Sequence, residues 1–309
     1  MQKKIHDIAI IGGGPAGLTA GIYSARAMYE TIMVTEGFPG GQIMQTDIVE
    51  NYPGFPEAIS GLDLGSKMYE QADHFGMNIY YANVTRIEQE NNIKVLTTDM
   101  DTKVYAKTVI IASGASAKKL SIKGEELFLG KGVSYCATCD GALFKEKEIV
   151  VVGGGDTAVE DAVFLTKFAR KVHIIHRRDE FRASKILQMK LFENKKIEVH
   201  WNATVEEIFG GEVLKGIALK NTLNGEVSSL SCDGVFILVG TTPNSGFVKP
   251  FIKTDDNGYI WVDYHMATNI TGVYAAGDVI VKDFRQVATA VGDGANAYFW
   301  AERYLEELE

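Results

Sequence analysis

Cysteine is scarce here, with three in 309 residues. That excludes the disulfide framework of a small secreted domain, and the chain reads as cytoplasmic. Proline is also low at 6, while glycine is high at 32. The glycines are therefore expected in tight functional turns rather than in flexible linkers. Basic charge falls short as well: 31 Lys and Arg against 40 Asp and Glu leave a net charge of −9. This balance argues against nucleic acid as a partner. Long apolar runs are missing too. Residues 8–25 form a charge-free stretch of eighteen after Lys3 and Lys4, but Asp7 interrupts its start. Gly12-Gly13-Gly14-Pro15 also falls where an apolar helix would need continuity, so neither a membrane span nor a signal peptide is expected. The rest is ordinary for a globular protein, at 46% hydrophobic and 23% charged. Disorder, collagen and coiled coil are excluded as the main theme. The length suggests two domains.

The informative feature is an internal repeat. IAIIGGGPAG at residues 8–17 lines up with IVVVGGGDTA at residues 149–158, an offset of 141. Each copy is a short apolar run, then G-x-G-x-x-G/A, then a helical pattern. Ala16, Ala20 and Ser24 recur every four residues in the first helix, and Ala158, Ala162, Leu165 and Ala169 line the second. Both patterns return to an apolar strand, residues 31–35 ending at Glu36 and residues 172–175 ending at His176. This is the βαβ dinucleotide fingerprint in the strand-to-helix context that it requires. Gly12, Gly14 and Gly17, with Pro15 and Ala16, would let one pyrophosphate approach a helix N-terminus. Gly153, Gly155, Asp156 and Thr157 would do so for a second. The spacing is too long for a solenoid, so the fold expected is α/β with two Rossmann-like dinucleotide-binding domains.

The copies differ where nucleotide choice is made. Glu36 lies 24 residues after Gly12, where a carboxylate accepts hydrogen bonds from a ribose 2′-hydroxyl. The counterpart after Gly153 is His176, followed by Arg177, Arg178 and Arg182. A carboxylate there would repel a 2′-phosphate, whereas guanidiniums chelate one. A solvated basic turn is the alternative, since Asp179 and Glu180 lie within it. The first domain is expected to hold FAD and the second NADPH.

Just before the second copy stands Cys136-Ala137-Thr138-Cys139-Asp140. A C-x-x-C pair can form a strained, easily exchanged disulfide, and its geometry lets one thiol's chemistry hand over to the other. Half of a zinc site is the competing reading. The third cysteine, Cys232, lies 93 residues further on, and His173 and His176 would face opposite sides of a strand, so no metal is expected. Cys232 reads as a buried small hydrophobe. Asp140 is a candidate proton donor when the disulfide is reduced, or else an N-cap.

Two nucleotide fingerprints, HRRxxxR and CATCD together make the chain strongly resemble the low-molecular-weight, bacterial-type thioredoxin reductases. The likeness runs nearly end to end. It includes Gly40-Gly41-Gln42, Asn51-Tyr52-Pro53-Gly54, TVIIASG at 108–114, GTTPN at 240–244, Gly277-Asp278-Val279, Arg285-Gln286 and a C-terminal AERYL. Ser113 and Tyr52 depart from the more usual residues.

The resemblance implies an FAD domain in two pieces, 1–116 and 247–309, with an NADPH domain of 117–246 inserted between them and carrying the disulfide. It places Gly40, Gly41, Gln42, Asn51, Gly277, Asp278, Arg285, Gln286 and Val287 about the flavin. Asp278 would meet the ribityl-phosphate region, and the helix after Arg285-Gln286 would aim its positive end at the isoalloxazine. Cys139 would face the flavin and Cys136 would attack the partner. The inserted domain would have to turn during catalysis, because both the disulfide and the nicotinamide must reach the flavin. The activity implied is reduction of a thioredoxin-like or glutaredoxin-like protein, by a homodimer.

Other shapes of the superfamily fit less well. Ferredoxin–NADP reductases lack CATCD, ferredoxin-dependent flavin thioredoxin reductases lack the second fingerprint, and alkyl hydroperoxide reductase flavoproteins carry an extra region ahead of Ile8. A redox sensor without turnover is the reading from another class. Flavin bleaching by NADPH without disulfide turnover would favour it.

Overall fold

In the computed structural model, residues 4–46 and 48–308 are described. Lys3 and the extreme ends of the expected flavin domain lie outside them. The chain divides into two compact units, Met1–Ser116 with Thr242–Glu309, and Ala117–Thr241. The return to the first unit thus comes at Thr242 and not at 247. Local bonds account for the difference: Asn244 N–H donates to the Gly114 carbonyl at 2.9 Å, and Ser245 Oγ to that of Gly258.

The first unit opens with β1 (Ile5–Ile11), α1 (Pro15–Arg26) and β2 (Thr31–Thr35). The end of β1 is buried without alternation, as a parallel strand covered on both faces must be. Gly14 is the N-cap of α1 and Pro15 stands in its first turn, where a missing N–H costs nothing. The small-residue face works as expected, since Ala16, Ala20 and Ser24 are all buried. Next come α2 (Gly61–His74), β3 (Asn78–Tyr81), β4 (Val84–Glu90), β5 (Ile93–Thr98) and β6 (Lys103–Ile111). The order in the sheet is β3-β2-β1-β6-β5-β4. It is parallel from β3 to β6, and β4 and β5 add an antiparallel edge. Apolar clusters cover both of its faces.

The chain leaves through β7 (Ala115–Ala117) and enters the second unit. There β8 (Val133–Ser134), α3 (Ala137–Asp140), β9 (Glu148–Val152), α4 (Asp156–Leu165), β10 (Lys171–Ile175), α5 (Lys185–Glu193) and β11 (Ile197–His200) follow. An antiparallel meander comes next, β12 (Ala203–Gly210), β13 (Leu214–Asn221) and β14 (Val227–Ser231), and then β15 (Gly234–Ile237). The main sheet is parallel throughout, in the order β11-β10-β9-β15-β8. Ala158, Ala162, Leu165 and Ala169 are fully buried, but α4 stops at Leu165. Thr166 Oγ1 donates back to the Val163 carbonyl at 2.7 Å, and three-residue turns carry the chain on to Ala169.

β16 (Thr241–Pro243) leads back to the first unit, which finishes with β17 (Val273–Ala275) beside β6 and with α6 (Val287–Glu306). α6 approaches α1 closely, because a Cβ at Gly294 would lie 2.2 Å from the Ala16 carbonyl oxygen. Among the described residues, no helix is long and apolar enough to cross a membrane.

Candidate active site

Cys136 and Cys139 form a disulfide with their Cα atoms 5.3 Å apart. Cys136 is the N-cap of α3, a single turn that brings positions i and i+3 onto one side. Its sulfur accepts the Cys139 N–H at 3.2 Å. Ser134, buried at the end of β8, accepts the Cys136 N–H at 3.0 Å and donates to the Cys136 carbonyl at 3.2 Å. That positioning hydroxyl has no signature in the sequence. Both cysteines and Asp140 are half-buried while Thr138 is exposed, so the pair is reachable. Cys232 is different. Burial pushes its thiol up to about 12, which keeps it protonated and inert.

The glycines of each fingerprint divide into two roles. A Cβ on Gly12 would lie 2.4 Å from the Ala112 carbonyl oxygen, and one on Gly153 would lie 2.5 Å from that of Leu238. These first glycines are required by the neighbouring parallel strand. A Cβ on Gly17 would lie 2.0 Å from the Gly12 carbonyl oxygen, the close helix–strand packing that the third position needs. At Gly14 the nearest atom is 3.9 Å away, and at Gly155 nothing lies within 4 Å. The middle glycines therefore face open space at the starts of α1 and α4, where backbone N–H groups point outward.

The strand after each helix closes the loop from below. Thr35 Oγ1 accepts the Gly13 N–H at 3.1 Å. In the second unit His176 takes this place, with Nδ1 3.0 Å from the Gly153 carbonyl oxygen and the ring packed by Phe181 and Trp201. This corrects the pairing made from the sequence. The offset of 141 and the structure both set His176 against Thr35, and the residue matching Glu36 is Arg177. His176 is buried, and burial lowers its pKa, so it supports the loop as a neutral ring. Glu36 and Arg177 are both exposed. Arg178 and Arg182 are exposed too, and none of the three guanidiniums pairs with a carboxylate among the described residues. The Arg182 N–H donates to the Gly154 carbonyl at 2.8 Å, and Asp156 Oδ1 accepts the Ser184 N–H at 2.7 Å. The basic turn is thus tied to the fingerprint loop.

A family model described as pyridine nucleotide-disulphide oxidoreductase matches residues 6–294. A thioredoxin reductase of Listeria monocytogenes serovar 1/2a is 48% identical over 100% of this chain and 96% of its own length. This chain belongs to the pyridine nucleotide-disulphide oxidoreductases, among the low-molecular-weight thioredoxin reductases. A thioredoxin reductase of Bacillus subtilis strain 168 is also 48% identical, over 100% of this chain and 97% of its own. The crystal structure of the Streptococcus pyogenes MGAS5005 thioredoxin reductase superposes with a TM-score of 0.94 at 46% identity, covering 98% of this chain and 99% of that one. Membership in this oxidoreductase family implies use of a flavin and a pyridine nucleotide.

The remaining residues expected about the flavin converge in the first unit. Gly40 and Gly41 adopt positive φ, and a Cβ on Gly41 would lie 2.7 Å from the Gly14 Cα. Gln42 Nε2 donates to the Ala115 carbonyl. Asn51 reaches Gln286, the N-cap of α6, and Val287 begins that helix. A Cβ on Gly277 would lie 2.9 Å from the Ala16 Cβ, so that turn abuts the start of α1. Asp278 is the telling residue. Its Oδ1 is buried and has no hydrogen-bond partner among the described residues. Burial raises its pKa, although the cations of Lys282 and Arg285 pull it down. A buried acceptor without a donor is costly, and a hydroxyl of a bound nucleotide would satisfy it. Arg285 is otherwise engaged: its guanidinium donates to the carbonyls of Asp278, Lys282 and Ile280 and lies 4.2 Å over the Tyr259 ring. It shapes the turn carrying Asp278. Lys282 and Asp293, an ion pair at 2.6 Å beside Gly277, support the same turn and carried no signal in the sequence.

Proposed function

We propose that this protein is an NADPH-dependent thioredoxin-disulfide reductase, linking NADPH and FAD to the disulfide of a thioredoxin-like or glutaredoxin-like protein by way of Cys136 and Cys139. The observation that carries the reading is the reachable disulfide one turn long, in a unit whose own fingerprint ends in three exposed arginines that pair with no carboxylate among the described residues. The names of the relatives point the same way.

In this reading the first unit holds FAD. Gly12, Gly14, Pro15, Ala16 and Gly17 frame its pyrophosphate and Glu36 its adenosine ribose. Gly40, Gly41, Gln42, Asn51, Gly277, Asp278, Gln286 and Val287 bind the rest, with Arg285 positioning Asp278. The second unit holds NADPH, with Gly153, Gly155, Asp156 and Thr157 at the pyrophosphate. Arg177, Arg178 and Arg182 take the 2′-phosphate, and His176 supports them from beneath. When bound, the two cofactors supply a hydride route that ends in two electrons for the disulfide.

The chain's own groups do the rest. Two electrons break the Cys136–Cys139 bond and leave two sulfurs, one of which takes a proton; Asp140, the residue after Cys139, is assigned to supply it. The Cys136 thiolate then attacks one sulfur of the partner's disulfide, and the partner's other sulfur leaves as a thiolate. Cys139 then gives up its proton to the departed partner thiolate and attacks Cys136 in turn, releasing the second partner sulfur and restoring the original disulfide. A homodimer is part of this proposal.

The test is NADPH oxidation by the flavin-loaded protein, with thioredoxin as acceptor and a disulfide dye reporting the thiols formed. Dye reduction that needs thioredoxin supports the reading. Flavin bleaching by NADPH with no thiol produced from any thioredoxin or glutaredoxin sinks it.

A further inference from the structure

Away from the reacting groups, one cluster on the second unit is built like a coordination site. His173 in β10 pairs in register with Glu198 in the edge strand β11, and His200 follows Glu198 by two residues. Alternation puts Glu198 and His200 on one face of the sheet, and parallel pairing puts His173 on the same face. His173 Nδ1 lies 3.0 Å from His200 Nε2 and 3.9 Å from Glu198 Oε2, and His200 Nε2 lies 3.6 Å from Glu198 Oε1. The three side chains thus present one ligand atom each within 4.8 Å of one another. A tetrahedral zinc ion, with bonds of about 2.0–2.1 Å, places its ligand atoms roughly 3.3 Å apart. The three separations bracket that value.

We propose that this edge of the second unit binds a divalent transition-metal ion of the zinc class through His173 Nδ1, His200 Nε2 and the Glu198 carboxylate. Two imidazoles select zinc, nickel or copper over magnesium or calcium, which take oxygen ligands. His173 is 3% exposed and held by the sheet, while Glu198 is exposed and His200 half-buried, so the ion has one rigid ligand and an entry from solvent. Without the ion, the two rings share a single hydrogen bond. Binding requires the proton on the donating nitrogen to move to that ring's other nitrogen, by exchange with water, so that both lone pairs face the metal. Lys171 is the built-in competitor, with Nζ 2.5 Å from Glu198 Oε2. An ion bound here would clamp the edge strand to β10.

The experiment uses the flavin-loaded enzyme without an affinity tag, with Cys136–Cys139 kept oxidised so that no other thiol but buried Cys232 is present. It is dialysed against buffered micromolar zinc and its metal content is measured, with the melting temperature followed in parallel. One zinc per chain is expected, with a rise in melting temperature. His200→Ala and Glu198→Gln should each weaken binding by about tenfold or more and lose the rise, since each removes one of three ligands. Lys171→Gln should bind zinc more tightly, because it frees Glu198; this gain cannot come from misfolding. Far-ultraviolet circular dichroism and flavin content check each variant, and His200→Asn replaces His200→Ala if that one is unfolded. No zinc retained by the parent protein overturns the proposal. So does equal retention by His200→Ala and Glu198→Gln, or an unchanged affinity in Lys171→Gln.

Discussion

Asn51 Nδ2 donates a hydrogen bond to Gln286 Oε1 at 3.0 Å, joining residues 235 apart in the chain. Gln286 is the N-cap of α6 and forms a capping box with Thr289, whose hydroxyl also donates to the Gln286 carbonyl. The loop after the first fingerprint is therefore fastened to the start of the helix proposed to face the flavin. Asn51→Ala and Gln286→Ala should each lower the melting temperature of the flavin-loaded protein. In a double-mutant cycle they should couple by about 0.5 kcal/mol or more. Strictly additive losses would mean that the two ends act independently.

The two kinds of fingerprint glycine separate by substitution. Gly12 has φ +104° and no room for a Cβ, so Gly12→Ala should destabilise the fold by about 2 kcal/mol or more. Gly14→Ala should leave the melting of flavin-free protein nearly unchanged and still reduce flavin retention. Gly155→Ala should likewise spare the fold and raise the KM for NADPH. Thermal melts, flavin content and steady-state kinetics read these out. A Gly14→Ala protein that keeps stoichiometric flavin would count against the placement.

Replacing Arg177 and Arg178 with Ala should raise the KM for NADPH about tenfold or more and leave that for NADH nearly unchanged. Both guanidiniums are exposed, so the preference for NADPH should also shrink with added salt. Equal losses with both cofactors would reduce the cluster to a solvated turn.

In the redox pair, Cys139→Ser should keep flavin reduction by NADPH but block electron transfer to the partner. Cys136→Ser should leave a lone thiol beside the flavin and abolish thioredoxin turnover. Asp140→Asn should slow disulfide reduction without weakening NADPH binding. Stopped-flow absorbance separates these steps, and full thioredoxin turnover by Cys136→Ser would reverse the assignment.

Asp161 in α4 offers a pH test. Burial, with Glu160 adding repulsion, pushes its carboxyl up to about 6. The native state then binds this proton more tightly than the unfolded chain does. The residue's contribution is most favourable below the ordinary aspartate range and is lost as pH rises through about 6. Asp161→Asn should therefore stabilise the protein at pH 7.5, and the advantage should vanish near pH 4. The side chain is half-buried, so about 1 kcal/mol is expected. Melting curves across that range decide it, and a gain that persists at pH 4 would rule out this cause.

What the sequence determined by itself is local. Apolar runs, small residues every four positions and the G-x-G-x-x-G/A turns define two βαβ units, because strand and helix periods are written within a few residues. The spacing of Cys136 and Cys139 allowed a disulfide, since three residues span a single turn, and the lack of further ligands beside it in the sequence disfavoured half of a zinc site. Only the tertiary structure decided the rest. The carbonyls of Ala112 and Leu238 make Gly12 and Gly153 obligatory, and they directly follow strands distant in the chain. The register of β10 on β11 brings His173 to His200, whereas the sequence compared His173 only with His176. The fold also buries the His176 ring beneath the loop, with Nδ1 on the Gly153 carbonyl, and gives backbone carbonyls to the guanidinium of Arg285. The physical reason is common to all of these. Backbone preference acts over neighbouring residues, but steric room, hydrogen-bond partners and local polarity are set by whatever chain the fold lays alongside.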